Sequence, residues 1–289
     1  MKQYLDVVRH VLKNGTRKQN RTGVDTLSTF NYNYEIDLKD GFPLLTTKEI
    51  SWKNIVVENL WFLSGNPNVE LLRKHDCRFW EPWADEDGFV PSAYGNFWRA
   101  FPDSHGQTID QVQIIIDQIK NNPFSRRHVI SAWNPENALT SKLPPCHAFW
   151  VLNVQLTENG EPHLCLHLTQ RSADVALGVP YNIAGYALIL ELFSRFCNIS
   201  PGIFAHTLID AHIYTSKPDG SMLHYDHVPG MKQQLSRTPC RLPELTIHPS
   251  ITSLKDIDDI LQCEINEIMD MFRLTGYDPH PAIKFNVAV

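Results

Sequence analysis

The residues from Ala184 to Phe196 are apolar on nearly every side of the helix they would form, and that stretch constrains the fold more than any other. A helix with one apolar stripe needs cover on one face, whereas one that is apolar all round must be enclosed by the rest of the chain. The enclosing elements are readable. Tyr4, Leu5, Val8 and Leu12 recur at helical spacing, and Asn14-Gly15 closes that helix. A long apolar helix is expected from Ser51 to Leu63, and an amphipathic one carries Ile109, Val112, Ile116 and Ile119. Phe30, Tyr32, Tyr34 and Ile36 alternate with polar residues as in a half-buried strand. Further strands are expected at Arg127–Trp133 and Phe204–Tyr214, with a hairpin made by Phe149–Leu156 and His163–Leu168. A Pro/Gly-punctuated loop covers Lys217–Gly230. Helices and strands do not alternate as βαβ units, so the pattern predicts an α+β fold on a mixed sheet.

At 289 residues the length allows one domain or two, but no repeat or flexible linker divides the chain. It reads as a single domain over 1–289. Hydrophobic residues make up 43% and charged ones 20%, enough for a core without disulfide staples. The net charge of −6 argues against non-specific binding to nucleic acid or an anionic membrane. An anionic ligand must therefore be held by a few placed cations. Six cysteines stand singly, with no signal-like segment ahead of them, as expected of reduced thiols in a cytoplasmic protein. No apolar run is long enough for a membrane span. Phosphate loops and CxxC or HExxH metal motifs are absent. His163 with His167, and His224 with His227, have ligand-like spacing but lack a third partner, so both pairs read as structural and no metal is expected.

The informative segments are Ser125-Arg126-Arg127, Leu143-Pro144-Pro145-Cys146-His147, Gln170-Arg171-Ser172-Ala173-Asp174 and Leu177-Gly178-Val179-Pro180-Tyr181-Asn182. With them, in order, go Arg21-Thr22-Gly23, Phe42-Pro43-Leu44-Leu45-Thr46-Thr47-Lys48, Trp80-Glu81-Pro82-Trp83, Tyr94-Gly95, Asp210-Ala211-His212-Ile213-Tyr214 and Val287-Ala288-Val289. Taken together, the chain resembles the thymidylate synthase family over nearly its whole length. That resemblance implies a mixed sheet with helices packed on one side and the other face used for homodimer contact. The implied reaction is methylation of dUMP to dTMP, with 5,10-methylenetetrahydrofolate as one-carbon and hydride donor and dihydrofolate as product.

The residue chemistry can be read beside the resemblance. Methylation at pyrimidine C5 needs a nucleophile to add at C6, since that addition makes C5 an enolate carbon. A soft, partly ionised thiolate suits this step, and Cys146 is the best placed, with His147 adjoining and Arg126, Arg127 and Arg171 in the neighbouring motifs. Cys165, Cys197 and Cys263 read as ordinary buried thiols. Neighbouring side chains on a strand point to opposite faces, so Arg126 and Arg127 do not easily serve one local site. The resemblance resolves this with a homodimer in which that pair reaches the neighbour's nucleotide, while Arg21, Arg171 and Ser172 hold phosphate locally.

The Asn182 amide can donate to uracil O4 and accept from N3–H; alternatively it caps the helix that follows. His212 and Tyr214 share a strand face and resemble the pair that bonds the ribose 3′-hydroxyl. Glu58 lies within an apolar run where burial should raise its pKa toward an acid–base role, and Tyr94 is the expected relay for the C5 proton. The resemblance places Lys48, Trp80, Trp83, Leu143, Asp174, Gly178 and Val289 against the folate, with Asp174 also counted on the nucleotide side. It closes the apolar C-terminal tail over that ligand, with the Val289 carboxylate near Arg21 and Trp83. Departures from the family pattern are Leu208-Ile209 for two glycines, Gly185 for serine, Tyr181 for phenylalanine, Ala176 for a bulkier residue and Ser92-Ala93 for Gly-Pro. The 216–229 loop is long, resembling some archaeal-type members. A nucleotide hydroxymethylase of the same superfamily is the nearest rival, and a folate- or RNA-binding regulator is the rival of another class.

Overall fold

The computed structural model describes residues 1–288. Its helices are α1 Lys2–Asn14, α2 Trp52–Ser64, α3 Glu70–Lys74, α4 Tyr94–Arg99, α5 Gln111–Asn121, α6 Pro135–Thr140, α7 Gly178–Cys197, α8 Val228–Leu235, α9 Lys255–Gln262 and α10 Ile265–Met271. The main sheet has seven strands: β1 Thr16–Lys18, β2 Asp25–Asp37, β5 Val129–Ser131, β6 Phe149–Leu156, β7 Pro162–Gln170, β8 Ala173–Asp174 and β9 Ser200–Thr215. Two small pairs, β3 Phe101–Pro102 with β4 Thr108–Ile109 and β10 Glu244–Ile247 with β11 Phe272–Thr275, stand apart. In the main sheet the order is β1-β2-β9-β7-β6-β5, antiparallel except where β9 runs parallel to β7 and β8. The expected mixed-sheet α+β fold is what forms.

The sheet is covered on one side. Leu152, Leu164, Leu166, Leu168, Phe204 and Leu208 point inward and are fully enclosed, with α7 among the helices that pack over them. Residues of opposite parity, among them Val151, Cys165, Ile203 and Ala205, stay only half-buried. The α7 helix is enclosed as its composition requires: Ala184, Leu188, Ile189, Leu192 and Phe193 have no exposed surface. Two glycines allow α2 to be approached closely. A Cβ on Gly95 of α4 would sit 2.0 Å from the Phe62 carbonyl oxygen, and one on Gly185 of α7 would sit 2.7 Å from Asn59 Nδ2. The departure at Gly185 is thus matched by Asn59 beneath it.

Several expected boundaries move. The α7 helix begins at Gly178 rather than Ala184, because Asp174 Oδ1 accepts from Ala176 N and Leu177 N (2.9 and 3.1 Å) and turns the chain into the helix. Pro180 is tolerated there, since first-turn N–H groups have no intrahelical partner. Asn182 consequently lies inside the helix, and Leu177 holds the cap position, so the capping reading of Asn182 is incorrect. Ile109 belongs to β4 and is exposed; α5 starts after Asp110, whose side chain accepts from Gln113 N. The strand expected over Arg127–Trp133 contracts to Val129–Ser131, where pairing with β6 exists. The Lys217–Gly230 loop contains a 3-10 turn at Leu223–Tyr225 and runs into α8 at Val228. Phe30 is 81% exposed although Tyr34 and Ile36 are buried. Asn31 between them adopts a left-handed φ of 59°, the ladder with β9 skips it, and the alternation breaks there. Opposite that break, Leu208 fills the core and Ile209 stays half-buried on the open face. Among the described residues no helix is long and apolar enough to cross a membrane.

The approach at Gly95 has a direct consequence. Gly95→Ala forces α4 away from α2 and should cost about 1–3 kcal/mol, as overpacking does. Urea unfolding measures this, and an unchanged midpoint would show that the contact is not tight.

Candidate active site

Cys146 sits on the loop between α6 and β6, and Arg171 at the end of β7 fastens that loop. The Arg171 guanidinium donates from Nε to the Pro145 carbonyl (2.8 Å) and from Nη2 to the Pro144 carbonyl (2.6 Å). Its backbone N–H donates to the Cys146 carbonyl at 3.0 Å. Two successive prolines have fixed φ and no N–H, so they present carbonyls to the arginine on a stiff segment. The guanidinium also lies over the Trp133 ring, 5.5 Å from its centroid. Burial pushes the Cys146 thiol up from its ordinary value, with Arg171 and Arg21 pulling the other way. On balance desolvation outweighs the two cations.

A cleft of about 170 Å³ opens at Cys146. Arg21, Leu143, Arg171, Ser172, His212 and Tyr214 line it, together with Lys18, Asn20, Thr22 and Asp210. Segments far apart in sequence are thus gathered by the ends of β1, β7 and β9. His212 and Tyr214 share a face, with ring centroids 5.4 Å apart. Burial opposes charge on His212, but Asp210, whose carbonyl oxygen lies 3.1 Å from Nδ1, raises its pKa on balance. Asp210 is itself held by Lys18 and by Ser28 Oγ, which donates at 2.7 Å. Asp174 stands opposite His212 in the β8–β9 pairing. A larger cleft of about 400 Å³ lies elsewhere, between Leu38–Phe42 and Arg241–Leu245, and no cysteine or histidine lines it.

Behind Cys146 is an aromatic and acidic wall. Tyr94 Oη accepts from Cys146 N at 3.4 Å, and the Tyr94 ring lies 4.6 Å from His147 and 5.2 Å from Trp80. Trp80 Nε1 donates to Glu58 Oε1 at 2.8 Å. Burial raises the Glu58 carboxyl to about 7 despite the indole donor, so it can give or accept a proton near neutrality. Burial lowers His147 to about 3, so its ring is neutral. His147 Nδ1 and Tyr186 Oη are buried without partners, and their rings are 5.2 Å apart. Asn182 Oδ1 accepts from Gln170 Nε2 at 3.0 Å, and the same nitrogen donates to the Ser172 carbonyl on the cleft wall. Gly178 lies against Asn182 Oδ1.

Other expected site residues lie elsewhere. Arg126 and Arg127 are exposed and do not line the cleft. Lys48 is buried, donates to the Ala176 carbonyl at 2.6 Å and lies 4.8 Å from the centre of the Phe285 ring. Loss of water lowers its pKa to about 8. Trp83 and Leu143 are half-buried, and Lys142 Nζ donates to the Ala84 carbonyl, tying their segments together. Val289 lies outside the described residues. Near it the tail is fastened: His227 Nε2 is 2.9 Å from the Asn286 carbonyl, and Asn286 Nδ2 donates to the His224 carbonyl. The 216–229 loop is thus part of the tail's seat. The site also uses Lys18, Gln170 and Asp210, which motif reading quoted or passed over without a role.

The raised Glu58 pKa carries a stability consequence. The native carboxyl holds its proton to about 7, whereas an unfolded one releases it near 4.3, so this group lowers stability as pH rises through that window. Glu58→Gln should remove a loss on the order of 1–3 kcal/mol between about pH 5 and 8. Chemical unfolding at several pH values tests it, and parallel profiles for variant and parent would contradict it.

The Cys146 thiol on a fastened loop, the Arg21 and Arg171 guanidinium groups in its cleft, and the Asn182 amide and Glu58 carboxyl behind it form one contiguous arrangement. The family model described as thymidylate synthase matches residues 2–289. The chain therefore belongs to the thymidylate synthase family of methyltransferases, which methylate dUMP with methylenetetrahydrofolate as cosubstrate.

Proposed function

We propose that this chain converts dUMP to dTMP with release of dihydrofolate, through addition of Cys146 Sγ to pyrimidine C6. The observation that carries this reading is the placement of Cys146 in the same cleft as Arg21, Arg171 and Ser172, with Asn182 linked through Gln170 to the Ser172 carbonyl. The phosphate sits on the two guanidinium groups and the Ser172 hydroxyl. His212 and Tyr214 take the ribose 3′-hydroxyl. Asn182 reads uracil O4 and N3–H and steadies the charge that develops on O4. Arg171 and Arg21 favour the thiolate as the Cys146 proton leaves to solvent through the cleft. Glu58, poised near 7, exchanges protons with the pyrimidine, and Tyr94 Oη, beside the Cys146 backbone, relays the C5 proton. Neutral His147 and the partnerless Tyr186 hydroxyl offer sites for water between the acid and the base ring.

The reduced folate supplies the one-carbon unit and the hydride when bound. Trp83 and Leu143, half-buried beside the cleft, offer it an apolar wall, with Trp80 behind them and Asp174 and Gly178 at the start of α7. Lys48, seated under Phe285, acts from beneath the tail.

The protein works as a cytoplasmic homodimer. Its support is the uncovered sheet face, half-apolar through Val151, Cys165, Ile203 and Ala205, and the exposure of Arg126 and Arg127 away from their own cleft. In the dimer that pair reaches the partner's nucleotide phosphate.

Incubation with dUMP and methylenetetrahydrofolate, followed by product mass and dihydrofolate absorbance, tests this reading. The expected product is dTMP, formed together with dihydrofolate. Cys146→Ala should abolish turnover while dUMP still binds through the arginines and Asn182. A product heavier by one oxygen with no dihydrofolate would establish hydroxymethylation instead, and turnover by the alanine variant would remove Cys146 as nucleophile.

A further inference from the structure

A run of buried polar side chains crosses the inner face of the sheet from β2 to α7, behind the cleft. Tyr34 Oη is 2.6 Å from His206 Nδ1, and His206 Nε2 is 3.0 Å from Gln170 Oε1. Gln170 Nε2 then donates to both the Ser172 carbonyl and Asn182 Oδ1, each at 3.0 Å. Tyr34, His206 and Gln170 are all buried, and none of them lines the cleft.

One end of the run fixes the direction of every bond in it. The Ser172 carbonyl can only accept, so the Gln170 atom facing it is the amide nitrogen, and the atom facing His206 is the oxygen. That oxygen needs a donor, so His206 carries its proton on Nε2. Nδ1 then accepts, and the Tyr34 hydroxyl donates. Burial and the two nearby histidines, His147 and His167, hold His206 well below the usual imidazole range, so the ring is neutral with a single tautomer. At the far end the Gln170 nitrogen also faces Asn182, so the Asn182 atom that meets it is oxygen and its NH2 points elsewhere. Reversing the Asn182 amide would set two buried NH2 groups against each other.

We propose that Tyr34 and His206 are positioning residues that, through Gln170, hold the Asn182 amide in the orientation that prefers uracil over cytosine. The proposal rests on Asn182 reading the base. Uracil offers an acceptor at O4 and a donor at N3, whereas cytosine offers the reverse pair, which suits the reversed amide. The relay thus acts on discrimination between bases and leaves the phosphate end of the cleft alone. A tyrosine and a histidine that merely filled the core would leave that discrimination unchanged.

Calorimetric titration of the full chain with dUMP, dCMP and deoxyribose 5-phosphate tests it, with thermal unfolding as the check on folding. His206→Leu should lower the ratio of the dCMP to the dUMP dissociation constant by about tenfold, the scale of one lost hydrogen bond with its partner left buried. Tyr34→Phe should lower it a few-fold, and deoxyribose 5-phosphate should bind as before in both. His206→Gln, which still offers an N–H toward Gln170, should keep most of the parent ratio. A parent ratio in folded His206→Leu and Tyr34→Phe would overturn the relay, as would equal weakening of all three ligands. Should His206→Leu fail to fold, the nearly isosteric Tyr34→Phe decides alone. Failure of the parent to bind dUMP would overturn the functional reading and the relay with it, whereas an unchanged ratio in a dUMP-binding protein overturns only the relay.

Discussion

The site depends on the attachment of Arg171 to the Pro144-Pro145-Cys146 segment. Three donors from one residue, two on the guanidinium and one on the backbone, reach three successive carbonyls of that loop. A charged donor makes stronger hydrogen bonds than a neutral one, and prolines cannot relieve the geometry by rotating φ. The same cation lines the cleft and opposes the desolvation that raises the Cys146 thiol. Holding the Cys146 thiol and creating a place for an anion are therefore one interaction. Loss of Arg171 would release the loop and remove the charge together, so it is a poor position for separating binding from chemistry.

A second constraint comes from the one-sided sheet. Its inner face meets α7 through leucines and Phe204, and it admits one hydrogen-bonded set of polar side chains, Tyr34, His206 and Gln170. A buried polar group left unpaired costs more than its bond returns, so such a set persists only when its members satisfy one another. In this fold the set ends on Asn182 and on the carbonyl of Ser172, which lines the cleft. The Glu58 carboxyl follows the same logic with a different outcome. Glu58 receives a single donor, from Trp80, too little to offset its burial, and its carboxyl titrates near neutrality in consequence.

Elements with strong periodicity were legible in the sequence, including α1, α2, the β6–β7 hairpin and the enclosed body of α7. Boundaries failed where a side chain overrode the pattern. Asp174 starts α7 ahead of Pro180, and Asn31 turns Phe30 out of the core. The short helices α3, α4 and α6 carry weak periodicity and were not read, whereas α9 was passed over although Ile257, Ile260 and Leu261 recur at helical spacing and are buried. For the site, motif order singled out Cys146, Arg171, Ser172, His212 and Tyr214, and these meet in one cleft. The buried seat of Lys48 was not legible, because nothing local shows that Ala176 and Phe285 will close around it. Tyr34 and His206 occupy inward positions on alternating strands, and a histidine between Phe204 and Leu208 is itself a sign of a buried polar partner. Which partner it finds is a matter of strand order, and that is set by the whole sheet.

The central claim is that Cys146 Sγ bonds to pyrimidine C6. The most direct measurement is intact mass with peptide mapping after incubation with 5-fluoro-dUMP and methylenetetrahydrofolate. The fluorine cannot leave as a proton does, so the bond to sulfur should persist, giving a nucleotide-modified peptide that contains Cys146. An unmodified protein, or modification at Cys165 or another thiol instead, would contradict the account.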